Sequence, residues 1–250
     1  MSMGLAVAIV VGGCLVMAAA IIVLVVWLNR SNSSEEKAVL ERLHARAAEL
    51  GWTYEERNDS YVSVYNAQRE YMEQSLLPMP TRRNPLAPLQ PYHRPSKAVA
   101  AKKIITGMHR GRSFIAALFT VNYANEQSSV RVIWVRTPAP GPALTVSREV
   151  RLASRVNKAI GQRDVQLGNP EFDERFEISQ EDERFTRAVL NPAVVQYLLS
   201  TPCKFESMSL LADHIAFVDQ VTDHRDPEQL IPALDLRCDV LDRIPQSAWT

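Results

Sequence analysis

The chain has 250 residues, 46% hydrophobic and 22% charged, and its 28 Lys+Arg are balanced by 28 Asp+Glu. This composition excludes a disordered or low-complexity chain, and zero net charge argues against a nucleic-acid partner, so none is expected. Its three cysteines show no CxxC spacing, which excludes a disulfide framework and fits a reducing compartment.

From Leu5 to Leu28 no residue carries a charge, a run of 24. Crossing the ~30 Å hydrocarbon core takes roughly 20 apolar residues, so this stretch predicts a single transmembrane helix. A cleavable signal would need a basic start and a shorter apolar run; Met1–Gly4 hold no Lys or Arg, although Ala18-Ala19-Ala20 imitates a cleavage site. Arg30, Lys37, Arg42 and Arg46 follow the run. The positive-inside rule then places the N-terminus outside and the remainder in the cytoplasm, at the plasma (inner) membrane, with Trp27 at the headgroup edge. Gly4, Ala8 and Gly12 recur every four residues and form a candidate helix-pairing face for a second copy or another protein.

Charge is unevenly distributed along the rest. Residues 29–163 hold 21 Lys+Arg against 11 Asp+Glu, and residues 164–250 hold 7 against 17. Either the domain has a basic side that faces anionic lipid, or the two halves interleave and neutralise each other.

Ser33 to Leu50 reads as a juxtamembrane helix, opened by the capping-box spacing of Ser33 and Glu36 and closed by Gly51. Leu40, Leu43, Ala47 and Leu50 share one face. A domain over residues 51–250 begins with a strand at Trp52-Thr53-Tyr54. Residues 78–95 carry six prolines and read as a loop. Arg82-x-x-Pro85-x-x-Pro88 has the form of a polyproline II ligand. The loop belongs to an acid-free window, Gln74 to Asn125, whose Arg82, Arg83, Arg94, Lys97, Lys102, Lys103, Arg110 and Arg112 are the candidate contacts to lipid or a partner.

Lys103–Met108 and Ser113–Tyr123 flank a turn at His109-Arg110-Gly111-Arg112 and predict a hairpin. Both faces of the second arm are apolar, so it should lie inside the sheet, with Trp134 of the next strand (Val130–Val135) in the core. Pro138, Pro140 and Pro142 break regularity before Leu144-Thr145-Val146. Val150–Ile160 is helical in period, and Arg175–Ile178 reads as a strand. Ser179 is the candidate cap of the helix after it. Asn191-Pro192 and Asp226-Pro227 each join a cap residue to a proline at the first helical position, opening further helices. Met208–Val218 is a strand between them. Leu230, Leu234, Cys238 and Leu241 form the buried face of the last helix, which ends before Pro245.

No GxGxxG, GxxxxGK[ST], GxSxG or HExxH occurs. The cluster most suggestive of chemistry is Asp213, His214, Asp219, Asp223, His224 and Asp226, whose imidazoles and carboxylates suit a metal or acid–base work. Strand alternation, a polar turn and an N-cap account for the same residues.

Phe172–Phe176, Glu181–Phe185, Leu190-Asn191-Pro192, Gly51–Tyr54, Thr106–Phe114 and Leu241–Pro245 with Trp249 together resemble a pattern in uncharacterised actinobacterial single-pass membrane proteins. The resemblance implies an N-terminal anchor and one soluble domain, and carries no activity or catalytic residue; residues 78–95 depart from it. The expectation is therefore an α+β domain, an antiparallel sheet with helices packed on one side, tethered to the bilayer. Its expected role is a non-catalytic binding or scaffold module without cofactor. The alternatives are a metal-dependent hydrolase using residues 213–226 and a sensor of anionic lipid surfaces.

Overall fold

A computed structural model describes residues 34–76, 97–123, 126–148 and 166–250. The expected membrane helix, its Gly4, Ala8 and Gly12, the proline-rich loop with Arg82, Arg83 and Arg94, and the 150–160 helix lie outside the described residues. Among the described residues no helix is long and apolar enough to cross a membrane.

The chain divides into two units, Met1–Ala45 and Arg46–Thr250. Helix α1 covers residues 34–50 and ends at Gly51, whose φ of +67° suits a residue without Cβ. Leu43 and Ala47 are buried, while Leu50 is exposed.

In the second unit the order is β1 (Thr53–Arg57), α2 (Tyr61–Leu76), β2 (Ala98–His109), β3 (Arg112–Tyr123) and β4 (Glu126–Arg148). There follow α3 (Pro170–Arg175), β5 (Phe176–Gln180), α4 (Glu183–Val189), α5 (Pro192–Ser200), β6 (Phe205–Asp219), α6 (Pro227–Arg243) and a 3-10 turn, Gln246–Trp249. All pairings are antiparallel in one six-stranded sheet: β1-β2-β3-β4 in sequence, with β5 and β6 both on β4. The fold is thus α+β, as composition and periodicity indicate.

The β2–β3 hairpin forms where expected. Arg110 and Gly111 take φ of 50° and 76°, the paired left-handed geometry that matches strand twist in a two-residue loop. β3 is an interior strand between β2 and β4. Its Ile115, Ala117, Phe119 and Val121 meet Tyr65 of α2, together with Ala101, Ile104 and Trp134. The opposite-phase Phe114, Ala116, Ile133 and Val135 are equally buried.

Helices consequently cover both faces, not one. Trp134 pairs with Ala216 and shares the α2 face. Phe217, one residue on, points the other way, and there the Arg237 guanidinium of α6 lies 5.4 Å from its ring. Phe205, Phe176 and Phe172 extend that second layer, with ring centroids 4.7–5.8 Å apart between neighbours. A sheet whose central strands are apolar on both sides needs two covers.

β4 runs through Pro138, Pro140 and Pro142 instead of ending before them. The prolines sit where its register with β6 shifts, between Arg136 and Gly141 and again before Leu144. A bulge is where a strand tolerates a residue without an N–H. Ser179 belongs to β5, and the cap of α4 is Asp182, whose carboxylate accepts from the Phe185 N–H at 2.6 Å.

The Gly51–Tyr54 and Thr106–Phe114 motifs are one packing unit. The Trp52 ring crosses Phe114 at 4.9 Å, its indole N–H donates to the Met108 carbonyl, and a Cβ at Gly107 would lie 2.4 Å from Trp52 Cδ1. Gly107→Ala is accordingly expected to destabilise the domain by about 1–3 kcal/mol, the cost of overpacking a filled core. A urea midpoint unchanged from wild type would contradict this reading of the contact.

Candidate functional site

Two polar assemblies and one cleft stand out. The first is the seam between the β2–β3 hairpin and α6. Asp235, Asp239 and Asp242 follow one another at helical spacing on α6. Arg110 donates to Asp239 at 2.9 Å and to Asp242 at 2.5 Å, and Arg112 donates to Asp242 at 2.9 Å. His109 Nε2 lies 2.8 Å from Asp235, and the Tyr197 hydroxyl donates to the second oxygen of Asp239. Burial, then the bond to Asp239, pushes the Tyr197 pKa up to about 12, and the Arg243 guanidinium sits 4.1 Å over its ring.

Two of the eight nominated basic residues, Arg110 and Arg112, are therefore engaged inside the domain. Lys97 and Lys102 are exposed, and Lys103 is half-buried with φ of 52°. The seam joins the basic half of the sequence to the acidic half, so part of the charge asymmetry is neutralised internally. Its ion pairs are partly exposed, each worth about 0–1 kcal/mol, and the network orients the hairpin more than it stabilises the fold.

The six residues of the 213–226 cluster fall into three settings. Asp219 pairs at 2.8 Å with fully buried Arg237. Asp223 pairs with Arg225, buried His224 contacts the Lys103 carbonyl, and Asp226 caps α6 by accepting from the Glu228 N–H. Only Asp213 and His214 face a shared third group, and these form the second assembly. Among the described residues no three His, Cys, Asp or Glu side chains converge as a metal set.

That second assembly depends on a break in strand alternation. Consecutive strand residues point to opposite faces, yet both Asp213 and His214 reach Gln68 of α2. Ala212 takes φ of 51° opposite Gly141, at the β4–β6 register shift, and the kink re-aims the chain. Gln68 Nε2 donates to Asp213 Oδ1 at 3.3 Å and lies 2.9 Å from His214 Nδ1, while Asp213 Oδ1 and His214 Nδ1 are 2.7 Å apart. The other carboxylate oxygen of Asp213 faces Arg136 Nε at 3.4 Å, and the imidazole lies 5.6 Å from the Trp134 ring. Burial lowers the His214 pKa against the opposing pull of Asp213, which favours the neutral ring. Gln68 Oε1 is buried with no hydrogen-bond partner among the described residues. The Tyr71 hydroxyl, one turn along α2, donates to the Gly141 carbonyl at 3.0 Å and fixes the helix over the kink. Sequence reasoning found Asp213 and His214 but missed Gln68 and Arg136.

The cleft has a volume of about 370 Å³ and is lined by Leu167, Asn169, Arg187, Leu190, Asn191 and Val195. Its polar groups serve its own walls. Asn169 and Asn191 cap α3 and α5, and Arg187 donates to Glu183.

Fold and site together define an α+β domain on a six-stranded antiparallel sheet, seamed by internal ion pairs. No family model and no curated protein matches the chain. A solved structure similar to it is the crystal structure of the mycobacterial trehalose monomycolate transport factor A, TtfA, at 15% identity. That match covers 83% of this chain and 98% of the other, with a TM-score of 0.45. Similarity of that degree does not define a function.

Proposed function

We propose that this protein is a membrane-anchored, non-catalytic binding or scaffold module: an outward N-terminus, one span over residues 5–28 and a cytoplasmic domain at the inner membrane. The observation that supports the absence of catalysis is how its charged and titratable side chains are used. Arg110, Arg112, Asp219 and His224 join one element to another, Asp223 and Asp226 brace the turn and start of α6, and the cleft's amides cap its own helices. The anchor rests on the uncharged run and the basic residues after it. Gly4, Ala8 and Gly12 would let the span pair with a second copy or another protein. Exposed Lys97 and Lys102 are available to anionic headgroups.

The test uses the full chain with a carboxyl-terminal reporter. A green fluorescent fusion should fluoresce, an alkaline phosphatase fusion should stay silent, and carbonate at high pH should leave the chain in the membrane pellet. Phosphatase activity, release by carbonate, or turnover in a hydrolase panel that is lost in His214→Ala would each overturn the proposal.

A further inference from the structure

We draw no further inference here: the strongest candidate, the cleft between the loop before α3 and the α4–α5 corner, carries none, because its asparagines cap its own helices and Arg187 is paired with Glu183, so nothing in the structure shows what would fill the space between its apolar walls.

Discussion

Arg237→Ala is expected to destabilise the domain by about 3–5 kcal/mol, a large part of the 5–15 kcal/mol typical of a folded protein. The side chain is fully buried, and four donated bonds justify its place there. Nε donates to the Ile133 carbonyl at 2.8 Å, Nη1 to Asp219 at 2.8 Å and to the Ala233 carbonyl at 2.6 Å, and Nη2 to the Phe217 carbonyl at 3.2 Å. Burial pulls its pKa down, and Asp219 opposes that pull. Alanine would leave Asp219 without its counter-charge, only 13% exposed, and would take the guanidinium donors from the Ile133 and Phe217 carbonyls beneath α6. Arg237→Lys keeps the charge but not the planar fork, and should fall between alanine and wild type. Arg237→Met with Asp219→Asn removes both charges and should recover part of the loss. Urea unfolding of the full-length protein, followed by circular dichroism, measures all four. A loss below 1 kcal/mol for Arg237→Ala would mean that this contact does not join α6 to the sheet.

Arg237 also shows where a sequence stops being informative. Leu230, Leu234, Cys238 and Leu241 mark the apolar stripe of α6, and the structure buries all four. Arg237 lies beside that stripe and reads as a solvated charge, because its partners come from β4 and β6, far along the chain. Local signals fare better. Asp226-Pro227 and Asn191-Pro192 open helices because cap and φ are set by adjacent residues. Asn169-Pro170 carries the same signature and opens α3, a helix the sequence reading passed over. Helix α2 went unread because Tyr61, Val62 and Tyr65 are the core of a thin apolar stripe. Its start is nevertheless written in Asn58, whose side-chain oxygen accepts from the Ser60 N–H at 3.1 Å. Missing α2 meant missing Gln68. Alternation placed Asp213 and His214 on opposite faces, and an alanine at positive φ gives no compositional warning that alternation fails. The assembly on the kink thus needed three things that only the fold supplies: a helix, a bulge and a contact across 145 residues.

Lowering the pH from 6.5 to 4 is expected to remove about 3 kcal/mol of stability through His224 alone. The imidazole is 2% exposed, and its Nε2 donates to the Lys103 carbonyl at 2.5 Å, fastening the β6–α6 loop to the bulge in β2. Burial pushes its pKa down to about 4, outweighing the Lys103 carbonyl and Asp223, while Arg131 and Arg225 add to the depression. Between pH 6.5 and about 4 the unfolded chain binds this proton and the folded chain does not. Acid therefore draws the equilibrium toward the unfolded state, and the contribution is whole above pH 6.5 and gone below about 4. His214 is depressed in the same direction, and carboxylates titrate toward the lower end, so the wild-type slope alone does not isolate His224. His224→Gln does, since glutamine offers an N–H to the same carbonyl without titrating. The stability difference between wild type and His224→Gln should shift by about 3 kcal/mol across this window in urea melts at successive pH values. Parallel curves for the two proteins would show that the His224 imidazole is protonated as readily in the fold as in water, and that its burial does not penalise the charged ring.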